Sequence, residues 1–264
     1  MVNDGSTDGT ERIAKHYVDL DKRVKVFSQE NSGQSAARNA SMAQATGDYL
    51  HFVDADDYLL AMDYYEKLLW YAMHIDADLV GGNVVCENNF SLQTQIGHSQ
   101  AIIGVNFREK LYTHRPLIKK KLLDKHNIVW DTTFKIGYRE DMFFYLQCYY
   151  YADKSVCLPD VFYFYRENKK SVTRIQRDKA TMDYLQKSNQ YYTEKMFEFS
   201  REHGIYDDVY NYYVPIPLPQ KSLRKRYIYK FWKILLITKE VIGDTIRYYL
   251  FGKIPLLTCT RKMF

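Results

Sequence analysis

Cysteine is scarce in this 264-residue chain: Cys86, Cys148, Cys157 and Cys259 stand far apart, and no CxxC pair occurs. That spacing argues against a disulfide framework or a zinc site and reads as free, buried thiols in a reducing compartment. No run of about 18 apolar residues exists, so a conventional membrane-spanning helix is not expected. The N-terminus lacks a basic segment followed by an apolar one, so no secretory signal is expected either. The seven histidines never fall at HxH or HxxxH spacing, which removes the usual histidine metal sites. Proline is sparse too. Three of the six prolines lie in VPIPLP, 214–219, which marks the expected boundary between a body of residues 1–213 and an extension of residues 214–264.

What is present is ordinary globular material, 46% hydrophobic and 26% charged, which excludes a disordered chain. Aromatics reach 16%, and 25 of them are tyrosines, rings with a polar tip that suit ligand clefts and membrane interfaces. The net charge of +5 conceals an uneven distribution. Residues 220–264 hold 11 Lys and Arg against 2 Asp and Glu, while the rest of the chain holds 26 against 30. A basic extension on a slightly acidic body points to a phosphate-bearing partner, either lipid headgroups or nucleic acid.

Along the body, strands alternate with helices. NDGSTDGT, residues 3–10, is a turn cluster with Asp8 as the expected cap of a helix toward Asp19. Ile13, Tyr17 and Leu20 share one face of that helix. A short strand is expected over Arg23–Gln29 and a small-residue helix from QSAARNA to Gly47. A buried strand follows over Asp48–Val53, then a helix over MDYYEKLLWYAMHI and a strand over ADLVGGNVV. Farther on come an aromatic helix in YREDMFFYLQCYYYA, a strand VFYFYR, a basic loop ENKKSVTR and a helix over Asp178–His203. This order argues an α/β layered domain with a largely parallel sheet.

Two turns carry chemistry. The strand YLHFV runs into Asp54-Ala55-Asp56-Asp57. Acids at the carboxyl end of a strand face the crevice where α/β sheets bind ligands. Two of them one residue apart suit a hard divalent ion whose other ligands are phosphate oxygens. Equally, such acids cap a following helix. The other turn, with Asp4, Ser6 and Asp8 at alternate positions, looks like a calcium loop. It fails at the twelfth position, which is Lys15 rather than Glu. It reads as a tight strand-to-helix turn with Asp4 able to accept hydrogen bonds. Glu140-Asp141, before MFFYLQ, read alone as first-turn acids complementing a helix dipole.

Taken together and in order, VNDGSTDGT, NSGQSAARNA, GDYLHFVDADD, YREDMFF and YRENKKSVT resemble the family 2 glycosyltransferases. These are nucleotide-sugar-dependent enzymes of the GT-A fold, a Rossmann-like mixed sheet flanked by helices. The resemblance covers about residues 1–175. It implies that Asp4 hydrogen-bonds the nucleotide base, usually uracil, and that Arg38 lies on the donor side near the nucleotide. It implies that Asp54 and Asp56 are the DXD pair, Asp54 near ribose and metal and Asp56 on the metal at the diphosphate. Asp141, with Glu140 beside it, matches the catalytic base. Arg166, Ser171 and Thr173 match a loop that closes over the donor in some members. The implied cofactor is Mn²⁺ or Mg²⁺, the donor a UDP-sugar, and the acceptor a hydroxyl of a glycan or lipid-linked glycan in capsule or exopolysaccharide synthesis.

The family domain ordinarily has a first strand and helix before the NDGSTDG turn, and the sequence opens inside that turn's strand. A domain lacking the first strand and helix, with impaired turnover, is therefore expected. In the extension, Tyr229, Trp232, Leu236 and Lys239 interleave at near-helical spacing. A helical extension is expected to lie on an anionic membrane at the cytoplasmic face, or else to pack on the body. Nucleic-acid binding is not expected, since no recognised module is present. Two other functions compete. A haloacid-dehalogenase-type phosphatase also places DxD after a strand, although Asp57-Tyr58 follows here where Gly-Thr is usual. A non-catalytic glycosyltransferase fragment would bind no nucleotide.

Overall fold

The structure is a computed structural model. It describes residues 1–86, 91–93, 101–110, 114–166 and 178–213, together with the backbone of strands 224–231, 235–242, 245–250 and 254–260. In chain order the elements are β1 (Val2–Asp4), α1 (Thr10–Leu20), β2 (Phe27–Gln29), α2 (Gln34–Gln44), β3 (Tyr49–Leu50), β4 (Tyr58–Leu59) and α3 (Tyr64–His74). Then follow β5 (Leu79–Cys86), β6 (Ser91–Gln93), β7 (Ile102–Gly104), α4 (Phe107–Lys110), β8 (His114–Lys119), α5 (Lys120–His126) and α6 (Glu140–Tyr151). The remainder is β9 (Ser155–Tyr165), α7 (Lys179–Glu202), α8 (Tyr206–Tyr213), β10 (Arg224–Phe231), β11 (Leu235–Ile242), β12 (Thr245–Leu250) and β13 (Ile254–Thr260). The chain forms two units. One comprises Met1–Leu50, Lys120–Tyr151 and Ile175–Tyr206, and the other His51–Lys119, Ala152–Arg174 and Asp207–Phe264.

In the first unit β1 and β2 pair in parallel, Val2 with Phe27 and Asp4 with Gln29. The expected strand over Arg23–Gln29 thus forms only in its last three residues. Asp8 does not cap α1 from the N-cap position, which Gly9 occupies. Its carboxylate instead accepts from the Thr10 N–H at 2.9 Å and from the Thr10 hydroxyl. It therefore does a cap's work one residue early. Ile13, Tyr17 and Leu20 are exposed, and α1 buries no side chain. The core of this unit lies under α6. Trp130 is fully buried and stacks on Phe144 with ring centroids 4.1 Å apart. Leu146, Tyr192 and Met196 are buried as well, and each such apolar side chain contributes about 1.5–3 kcal/mol. The helix expected over Asp178–His203 forms as α7, and Asp178 caps it, accepting from the Thr181 N–H at 2.8 Å.

In the second unit the sheet runs β8-β5-β9-β4, with β6 added on β5 and β7 on β9. Among the described residues of this unit only β5–β9 is parallel; β8, β6, β7 and β4 join antiparallel. The sheet is therefore mixed, as the GT-A resemblance implied, rather than largely parallel as the strand–helix alternation alone implied. The helix α3 covers β5 and β9 with Tyr64, Leu68 and Ala72. Cys157 in β9 is buried, and burial pushes its thiol up to about 12; burial also raises the pKa of Cys148. Both behave as inert core residues.

The C-terminal region is helical through α7 and α8, but the basic extension is not the amphipathic helix its spacing implied. Its described residues form an antiparallel sheet ordered β10-β11-β12-β13, with Arg224 opposite Ile242 and Thr245 opposite Thr260. The sequence explains this. Aromatics recur at alternate positions 227, 229 and 231, and the runs are rich in Ile, Val, Thr and Tyr. That is a period of two in residues that suit a pleated surface. The boundary VPIPLP lies outside the described residues.

Candidate active site

The first unit places Asp4, Arg38, Glu140 and Asp141. Asp4 ends β1, and its carboxylate gathers the turn before α2. It accepts from Gln29 Nε2, the Ser32 N–H and the Gly33 N–H, each at 2.8 Å. Burial would raise its pKa, but the Ser32, Gln29 and Gly33 hydrogen bonds, aided by the Lys135 charge, hold it below the ordinary carboxylate value. Gly33 has φ +94°, and a Cβ there would lie 2.2 Å from the Lys135 carbonyl oxygen. This turn thus abuts the loop that leads into α6.

Arg38 and Asn39 on α2 grip that loop from a second point. Asn39 Nδ2 donates to the Trp130 carbonyl at 2.8 Å, and the Trp130 N–H donates to Asn39 Oδ1 at 2.9 Å. The Arg38 guanidinium lies 4.2 Å from the Trp130 ring centroid and 3.8 Å from the Glu140 carboxylate. From α7, Tyr184 and Ser188 accept the backbone N–H groups of Lys135 and Tyr138 at 3.0 Å. Thr193 accepts from Arg139 at 3.2 Å, and Lys195 pairs with Asp131. The segment 131–139 is therefore fixed by α2 and α7 together. It delivers Glu140 buried against Arg38 and Asp141 half-buried in the first turn of α6. One Asp141 oxygen accepts from the Met142 N–H at 2.8 Å.

The second unit places Asp54, Asp56, Asp57 and Arg166. The expected strand over Asp48–Val53 is regular only at Tyr49–Leu50, and the chain turns at the acids, with the Asp57 N–H donating to the Asp54 carbonyl at 3.0 Å. Tyr163 of β9 staples this turn. Its hydroxyl accepts from the Asp54 N–H at 3.1 Å and donates to Asp57 Oδ2 at 2.8 Å. The Arg166 N–H donates to Asp57 Oδ1 at 3.0 Å, so Arg166 reaches the turn through its backbone. Burial raises the Asp57 pKa against the hydrogen bonds from Tyr163 and Arg166, and the Asp54 and Asp56 charges add to the rise. Asp57 is thus committed to the fold. Asp54 and Asp56 supply two hard carboxylates one residue apart, a donor set that fits Mn²⁺ or Mg²⁺ completed by diphosphate and water oxygens. Ser171 and Thr173 lie outside the described residues.

Two residues stand beside the acidic turn, Arg115 outside every sequence motif and His51 within the run YLHFV. Arg115 pairs with Asp54 at 3.1 Å. His51 holds the Arg115 carbonyl at 3.0 Å. Burial pushes the His51 pKa down to about 4; the hydrogen bond to Arg115 opposes this and the Arg115 charge adds to it. A lone histidine inside the apolar run YLHFV was the only sequence signal for this arrangement.

A strand-to-helix turn centred on an acid, an acidic turn after a short strand, and a mixed sheet backed by helices define the class of GT-A sugar-nucleotide transferase folds. The solved structure of TarS from S. aureus in complex with UDP-GlcNAc shares the fold at a TM-score of 0.57 and 18% identity, covering 81% of this chain and 66% of that one. The family model for glycosyl transferase family 2 matches residues 1–144, and the chain belongs to that family. Among curated relatives, the uncharacterized glycosyltransferase EpsJ of Bacillus subtilis is 30% identical over 72% of this chain and 58% of its own length. Glycosyltransferase GlyA of Streptococcus pneumoniae serotype 4 is 30% identical over 68% of this chain and 27% of its own. The chain thus spans less than two thirds of these relatives. Family membership sets aside the phosphatase reading of DxD. Among the described residues, no helix is long and apolar enough to cross a membrane.

Proposed function

We propose that the chain carries the catalytic module of an inverting glycosyltransferase. It moves a sugar from a nucleotide-sugar, a UDP-sugar by preference, to a hydroxyl of a glycan or lipid-linked acceptor of a surface polysaccharide. The observation that carries this reading is the acidic turn itself: Asp54 and Asp56 stand one residue apart after a short strand, in a turn held by the bonds of Asp57 to Tyr163 and Arg166. The UDP-GlcNAc in the TarS structure supports the choice of donor.

Asp54 and Asp56 would hold the divalent ion, and Asp4 would accept from the base. When bound, the ion offsets the charge of a departing nucleoside diphosphate. Asp141 acts as general base. It takes the proton of the acceptor hydroxyl as that oxygen bonds to the anomeric carbon, while the bond from that carbon to the phosphate oxygen breaks and its electron pair leaves with the diphosphate. One displacement inverts the anomeric centre. Glu140 is tied to Arg38, which supports the choice of Asp141 as the base of the two acids. Arg166, Ser171 and Thr173 would contribute from the donor side.

Residues 214–264 would serve as a basic extension at the anionic cytoplasmic face of the membrane, an assignment supported by its 11 Lys and Arg against 2 acids over residues 220–264. The activity is tested by offering UDP- and GDP-sugars with Mn²⁺ or Mg²⁺ and measuring nucleoside diphosphate release. Release that falls by about 10²–10⁴-fold in D141N is expected. No release with any donor contradicts the proposal and favours a non-catalytic fragment; equal release by D141N contradicts the role of Asp141 as base.

A further inference from the structure

The sheet of the second unit contains a bulge whose position serves the acidic turn. On β5 and β8, Val80 pairs with Leu117 and Gly82 with His114. Two residues of β8, Arg115 and Pro116, therefore stand opposite one. Bulges re-aim side chains, commonly beside active sites. Arg115 has φ +41°, a left-handed backbone that a side-chain-bearing residue adopts only under constraint. Pro116 contributes, because a residue before proline is disfavoured in the right-handed helical region.

His51 supplies the rest. Its Nε2 lies 3.0 Å from the Arg115 carbonyl oxygen and its Nδ1 3.0 Å from the Tyr65 hydroxyl. A carbonyl oxygen only accepts, so Nε2 carries the proton and Nδ1 accepts from Tyr65. The ring stacks on Tyr64 at 5.7 Å and meets Tyr65 and Tyr163 edge-on at 5.6 and 6.3 Å. The groups facing it from α3, β8 and β9 are thus three phenols and Arg115. Held this way, Arg115 directs its guanidinium to Asp54 at 3.1 Å, with its carbon 5.6 Å from the Tyr163 ring centroid. Tyr163 is the residue that staples the same turn. Three carboxylates within four residues repel an incoming diphosphate, and a cation fixed beside them offsets that repulsion.

We propose that Arg115 is a positioning residue of the donor site: it fixes the Asp54 carboxylate and lends positive charge to the acidic turn, and His51 acts through it by holding the bulge. This rests on the reading of Asp54 and Asp56 as the site of a metal–nucleotide diphosphate.

The test is calorimetric titration of UDP with Mn²⁺ into the full chain and its variants, with histidine ¹⁵N NMR of the free protein. Wild type binds. R115M and H51F each weaken binding about tenfold, H51Q stays within about threefold because its amide keeps a donor for the Arg115 carbonyl, and H51F/R115M is no weaker than R115M alone. His51 shows the Nε2–H tautomer. Should H51F fail to melt cooperatively, R115M and H51Q decide. Wild-type binding retained in R115M, additive losses in the double variant, or an Nδ1–H tautomer at His51 would overturn the positioning role while leaving the site reading intact. A wild type that binds no UDP with Mn²⁺ would overturn both.

Discussion

The guanidinium of Arg38 lies 3.8 Å from the carboxylate of Glu140, and both side chains are almost wholly buried. This pair joins the small-residue helix α2 to the first turn of α6, where Asp141 stands. Removing one partner of a buried ion pair leaves the other charge uncompensated and costs about 3 kcal/mol. R38M is therefore expected to lower stability by that order in urea unfolding. R38M/E140Q should recover part of the loss, because it removes the stranded charge. Equal stability of R38M and wild type would contradict this role.

The acid limb of stability has two expected parts. His51 has a folded pKa of about 4 against an ordinary 6.5. Its depressed value means that its stabilisation is complete above 6.5 and is lost as pH falls toward 4, at about 1.4 kcal/mol per pH unit. Asp131 behaves similarly at lower pH. Burial would raise its pKa, but hydrogen bonds from Lys195 and Thr133 bring it to about 2. Its contribution is full above 3.8 and fades toward 2. Unfolding free energies measured from pH 7 to 3 should show the first decline flattened in H51Q. Acid unfolding below pH 4 should be less steep in D131N.

Two left-handed glycines separate backbone strain from collision. Gly204 has φ +70° and nothing within 4 Å of a built Cβ, whereas Gly33 has φ +94° and the Lys135 carbonyl oxygen at 2.2 Å. G204A is expected to cost about 1 kcal/mol, the left-handed penalty alone. G33A must also displace the loop leading to Glu140, so it should cost at least twice as much and impair donor turnover. Thermal melts and diphosphate release separate the two.

Tyr163 uses one hydroxyl for two partners in the acidic turn. Y163F leaves the Asp57 oxygen and the Asp54 N–H each short of a partner, at a cost of about 1–3 kcal/mol. A weaker affinity for Mn²⁺ with UDP should accompany the loss of stability. Unchanged binding would separate this staple from the site.

The family was legible because its acidic motifs are chemically loud: five ordered motifs led from sequence to family, and the sheet is mixed as that family implied. What supports them was not legible. Asn39 bonding the Trp130 backbone, or α7 fixing residues 131–139, joins positions dozens of residues apart, and a pattern of periods one turn long carries no trace of such pairings. Arg115 gave no motif, since its placement depends on a bulge set by strand register. The extension misled for a related reason. Its interleaved basic and apolar residues satisfy a helical stripe at a few positions, yet the alternation of aromatics at 227, 229 and 231 is the pattern the strands follow.

The central proposal is that Asp54 and Asp56 receive a metal–diphosphate while Asp141 activates the acceptor. A crystal structure of the chain with UDP and Mn²⁺ tests it most directly. The expected result is one ion bridging the two aspartates and the diphosphate, with the Asp141 carboxylate facing the space beyond the β-phosphate. Nucleotide bound away from Asp54 and Asp56, or Asp141 walled off from it, would contradict the claim.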